Sequence, residues 1–143
     1  MTYCCAIRVN DGLVFAADTR TSAGVDDVRT YNKLHVFEET GSYVYVVLSA
    51  GNLATTQWVL NHLKRDIENP EAAQSLSTCR HMYDAAEYVG ALSVRAQKDS
   101  AMQAGQHTVD FRTTLSLGGQ IMGEDPALYL IYPEGNCISA SPE

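Results

Sequence analysis

Residues 2–37, TYCCAIRVNDGLVFAADTRTSAGVDDVRTYNKLHVF, decide the reading of this chain. Two β-prone runs, residues 3–9 and 13–17, flank Asn10-Asp11-Gly12, whose residue types tolerate the positive φ of a chain reversal. An antiparallel hairpin is expected, and it would bring Thr2, at the start of one strand, beside Asp18, at the end of the other. Thr2 follows the initiator Met1. A small second residue usually permits removal of the methionine. Thr2 would then hold a hydroxyl nucleophile and a free α-amine as its general base in one residue.

A polar loop over residues 19–32 contains Gly24 and the pair Asp26-Asp27. Residues 33–37 and 43–50 suggest a second hairpin turning near Gly41-Ser42. Asn52 is placed to cap a helix running to about Ile67, with Pro70 beyond its end. A second helix, residues 77–101, carries Met82, Ala85, Ala86, Val89, Leu92 and Ala96 at helical spacing. That stripe reads as a core face. Three more strands are expected, residues 109–117, 128–132 and 137–141, with Pro133-Glu134-Gly135-Asn136 as the turn between the last two. The order β-β-β-β-α-α-β-β-β implies an α+β architecture with a mostly antiparallel sheet.

The chain has 143 residues, enough for a single domain with a sizeable core. Hydrophobic residues make up 45% and charged residues 19%, as in ordinary globular proteins. No run approaches the ~20 apolar residues of a spanning helix, and the N-terminus does not read as a signal peptide. A cytoplasmic location is expected. The net charge of -7, with scattered Lys and Arg, argues against nucleic acid or an anionic membrane as a partner. Cys4, Cys5, Cys79 and Cys137 form no C-x-x-C pair, and His35, His62, His81 and His107 are isolated. With no zinc signature and no phosphate loop, neither a metal nor a cofactor is expected.

Thr2, Asp18, Lys33 and Ser49-Ala50-Gly51 lie at strand ends that these hairpins would gather together. At this order and spacing, "GLVFAADTRTSAGVDDVRTYNKLHVF" (residues 12–37) and "YVVLSAGNLATTQWVL" (residues 45–60) resemble the proteasome-type branch of the N-terminal nucleophile hydrolases. The likeness is nearest to bacterial proteasome homologues that open Met-Thr-Tyr-Cys. "LSLGGQIMGEDPALYLIYPEGN" (residues 115–136) is a weaker echo of the family's Gly-rich strand pair.

The resemblance implies an αββα four-layer sandwich and a threonine-type peptidase, active on peptides or unfolded protein within a homo-oligomeric ring or spiral. It assigns the nucleophile to Thr2, the site cation to Lys33 and that cation's carboxylate anchor to Asp18. Gly51 matches the glycine whose N–H faces the oxyanion, its missing Cβ leaving room for substrate. Ser22 falls at a substrate-backbone position where the family often has Thr or Asn. Tyr31, Ser49 and Leu53 fall on pocket walls suited to a medium apolar side chain. Arg20 and Gly24 read as structural, and the loop between Asp18 and Lys33 is one residue shorter than the family's.

Family chains are longer, and the Ser and Asp that orient the threonine amine have no match here. The second helical layer is therefore expected either in a missing C-terminal part or from another copy. Two alternatives carry the same residues: a silent assembly subunit that retains Met1, and a hydrolase of small amides.

Overall fold

The computed structural model describes residues 2–22, 28–105 and 108–140; Met1, Gly24, Asp26, Asp27, His107 and residues 141–143 lie outside them. The first two strands, β1 (Cys4–Val9) and β2 (Gly12–Ala17), form the expected hairpin, with Cys4 opposite Ala17 and Val9 opposite Gly12. The turn works differently from the expectation. Asn10 and Asp11 keep negative φ, and Gly12 alone, at +149°, leaves the region open to other residues.

The segment read as a polar loop contains a second small hairpin, β3 (Arg20–Ser22) paired with β4 (Val28–Thr30). Its three-residue strands are too short for an alternation of polar and apolar residues to register.

The main sheet is antiparallel and has the order β5 (Leu34–Glu39), β6 (Tyr43–Gly51), β7 (Thr113–Ile121), β8 (Ala127–Ile131), β9 (Cys137–Ser139). β7 starts four residues later than expected. Asp110 explains the delay, because its carboxylate accepts the Arg112 N–H at 3.0 Å and grips the guanidinium at 2.9 Å, offering the backbone a turn in place of a ladder.

Helix α1 (Leu53–Glu68) starts as expected, with the Asn52 side chain accepting from the Thr55 N–H. Helix α2 (Met82–Ala104) begins five residues later than the apolar pattern suggested. Ser75 and Thr78 bond each other's side chains and backbone just before it, holding a turn across the expected start of the helix.

Side-chain alternation separates the two faces of this sheet. Tyr45, Val47, Leu115, Leu117 and Ile131 join Phe37 against the helices, meeting Val59, Leu63, Ala85, Val89 and Leu92. Each Val, Leu, Ile or Phe among them contributes about 1.5–3 kcal/mol on burial, so this layer dominates stability. On the opposite face Leu48 and Leu128 are buried. There Phe15 of the first hairpin lies over Gly118, where an added Cβ would fall 2.4 Å from its ring. The described residues therefore stack as helices, five-stranded sheet and hairpin. Both helices cover one face, so a single helical layer is present among them.

Candidate active site

Lys33 lies one residue before β5 and is only 5% exposed. Its Nζ donates to Arg20 O at 2.7 Å, to Asp18 Oδ1 at 2.9 Å and to Thr2 Oγ1 at 3.2 Å. Three acceptors match the three N–H bonds of an ammonium. They come from three places: Thr2 lies two residues before β1, Asp18 directly follows β2, and Arg20 opens β3.

The first hairpin's open end is closed by reciprocal bonds. The Asp18 N–H donates to Tyr3 O at 2.9 Å, and the Tyr3 N–H donates to Asp18 Oδ1 at 2.8 Å. The hydrogen bond from Lys33 and then that of the Tyr3 N–H hold the Asp18 carboxyl below its ordinary 3.8. Strand ends that sequence order could only bring near one another are thus joined through one oxygen.

Gly51 ends β6 at φ +126°, a conformation that other residues rarely adopt. A Cβ there would lie 2.5 Å from Arg112 O and 2.9 Å from Thr113 Cα. The space a side chain would take is filled by the chain's own backbone. That is a different reason for glycine from the approach of substrate.

The ladder also fixes where the Gly51 N–H points. Gly51 pairs with Thr113, and the Asn52 N–H bonds Arg112 O at 3.0 Å, so Gly51 and Thr113 form a non-hydrogen-bonded pair. The Gly51 N–H therefore turns to the β5 side. Two residues earlier the Ser49 N–H does the same and meets Lys33 O at 3.1 Å. β5 ends there, and the next N–H in the row faces open space.

That space is a cavity of about 150 Å³. Thr2, Lys33 and Gly51 line it, as do Ser22, Tyr31, Ser49 and Leu53. The expected residues therefore converge, with Asp18 one bond behind Lys33. Arg20, read as structural, lines it too, and so do Thr21 and Thr56, which carried no role in the sequence reading. Among the described lining residues hydroxyls predominate and Leu53 is the only aliphatic side chain, so the walls are more polar than expected.

Burial raises the Tyr31 phenol, and a hydrogen bond with Gln57 works against that rise. Cys4, on the hairpin's inner side, donates its thiol to Ser49 O at 3.6 Å, and burial raises its pKa. Among the described residues no helix is long and apolar enough to cross a membrane.

Neither a protein-family model nor a curated protein matches the chain. Solved structures do. Anbu (ancestral beta-subunit) from Yersinia bercovieri superposes with a TM-score of 0.88 at 43% identity, over 96% of this chain and 56% of that one. The helical assembly of the Anbu complex from Pseudomonas aeruginosa gives a TM-score of 0.88 and 43% identity, over 97% and 56%. Anbu from Hyphomicrobium sp. strain MC1 gives 0.83 and 44%, over 96% and 56%. The chain thus spans 56% of the length of these structures. Over nearly all of its own length it is a relative of Anbu, the ancestral beta-subunit, and in the broad sense a proteasome-like subunit.

Proposed function

We propose that this chain carries the nucleophile of a threonine-type peptidase and hydrolyses peptide bonds through Thr2 once Met1 is removed. The observation that supports it most is the buried Lys33 ammonium 3.2 Å from Thr2 Oγ1, anchored by Asp18. A cation at that distance favours the deprotonated forms of the hydroxyl and of the amine beside it. An unperturbed α-amine has a pKa of about 8, so the freed amine is a competent base at neutral pH.

In the reaction, Thr2 Oγ bonds to the peptide carbonyl carbon as its proton passes to the α-amine. The carbonyl oxygen takes up negative charge beside the Gly51 N–H. Collapse breaks the C–N bond, and the amine returns the proton to the leaving nitrogen. Water then attacks the ester by the same route, releasing the acid and restoring Thr2.

Intact mass spectrometry after incubation with a peptide β-lactone tests this. The expected product is one adduct on a chain lacking Met1. It is absent in Thr2→Ala and forms more slowly in Lys33→Ala by a factor on the order of a hundred or more. A retained Met1 with no adduct supports a silent subunit instead. Labelling of Lys33→Ala at the native rate removes the role given to that side chain.

The assembly proposed is a homo-oligomer in which the four-layer sandwich is complete. The helical assembly of the Pseudomonas aeruginosa relative supports the homo-oligomer. Sedimentation at rising chain concentration is expected to show mass above one chain, and a single-chain species throughout overturns it.

A further inference from the structure

The Gly51 N–H belongs to the same peptide plane as the Ala50 carbonyl. In a trans peptide those two groups point in opposite directions, so whatever holds the carbonyl also aims the N–H. The Ala50 carbonyl is held by more than the ladder. Thr113 Oγ1 donates to it at 3.1 Å.

Thr113 is itself fixed. It is 1% exposed, and its hydroxyl lies 3.2 Å from that of Thr56, which donates to Asn52 O at 3.0 Å. Asn52 is tied to the same crossing segment by its backbone N–H on Arg112 O and its Nδ2 on Asp110 O, both at 3.0 Å. The peptides on either side of Gly51 are thus moored to residues 110–113.

We propose that Thr113 is a positioning residue for the oxyanion donor. Through the Ala50 carbonyl its hydroxyl aims the Gly51 N–H at the cavity. By drawing electron density from that carbonyl it also strengthens the N–H as a donor. The proposal rests on the reading of Thr2 as nucleophile. Thr113 touches no substrate, and its effect is confined to reactions in which charge collects on an oxygen beside Gly51.

Two electrophiles separate that effect from general damage. With a peptide β-lactone, Thr2 Oγ adds to the carbonyl carbon, and the ring C–O bond then breaks. The ring oxygen leaves as a hydroxyl, carrying the proton that Thr2 lost. This route passes through an oxyanion. With a peptide vinyl sulfone, Oγ adds to an alkene carbon, the charge moves toward the sulfone, and the proton ends on the neighbouring carbon. No carbonyl oxygen is involved.

The ratio of acylation to alkylation rate is expected to fall about tenfold in Thr113→Val. That is less than the hundred- to thousand-fold loss typical of deleting a donor outright. Thr113→Ser, which keeps the hydroxyl, is expected to restore the native ratio. Thr113→Ala provides the same comparison without placing a methyl against the Thr56 hydroxyl.

Equal loss with both reagents, or a Thr113→Ser that behaves like Thr113→Val, overturns the positioning role while leaving the peptidase reading intact. Failure of both Thr113→Val and Thr113→Ala to fold shows a structural role only and overturns it as well. A native chain that reacts with neither reagent removes the peptidase reading, and this proposal with it.

Discussion

At the scale of single residues, Lys33 is the point where three segments meet, and its partner Asp18 makes the junction sensitive to pH. Asp18 is held below its usual 3.8, so the folded chain favours the carboxylate. The stabilisation is therefore whole above the usual value and is lost as pH falls through the lowered one. Denaturant titrations of the native chain and of Asp18→Asn are expected to differ by a constant amount from neutral pH down to about 4. The difference should shrink only below that. A difference that disappears between pH 7 and 5 contradicts the assignment.

The site's ingredients were legible because hairpin turns declare themselves and strand ends then follow by geometry. Thr2, Asp18, Lys33 and Gly51 were placed near one another that way, and the family resemblance gave them their roles. Thr56 and Thr113 were not. Each is an ordinary residue of a helix or strand, and the bond of Thr113 to Ala50 and its approach to Thr56 depend on a β6–β7 register that joins residues more than 60 positions apart.

At the scale of elements, α1 could be read from its cap, whereas the starts of α2 and β7 could not. Hydroxyls at Ser75 and Thr78, and the carboxylate of Asp110, compete locally for backbone groups, and apolar periodicity does not see that competition. The first hairpin is the element on which the site depends most. It shares no ladder with the five-stranded sheet and is docked through side chains such as Phe15 over Gly118.

Gly118→Ala is expected to push that ring aside and loosen the hairpin while leaving the helix-covered core intact. Its β-lactone labelling should fail at a temperature well below the far-UV melting transition, with a smaller gap in the native chain. Labelling and far-UV signal that are lost together in both chains would show that the hairpin and the sheet unfold as one unit.

At the scale of the whole molecule, the α+β class, the antiparallel sheet and the helix pair followed from the sequence. The small β3–β4 hairpin did not. The layer count also follows a physical rule: a sheet covered on one face by helices presents its other face to whatever else is available. Here that is the hairpin, and the hairpin's outward side is itself apolar, with Ile7 opposite Val14 and both about half exposed.

β1 therefore carries two demands at once. Its leading end delivers Thr2 to Lys33, and its back presents Ile7 and Val9 to the outside. A body that settles on that back also clamps the strand that leads to Thr2. By reciprocity, anything that clamps Thr2 raises affinity for that body. Under the proposed role of Thr2, readiness to react and the company the subunit keeps are then two readings of a single equilibrium.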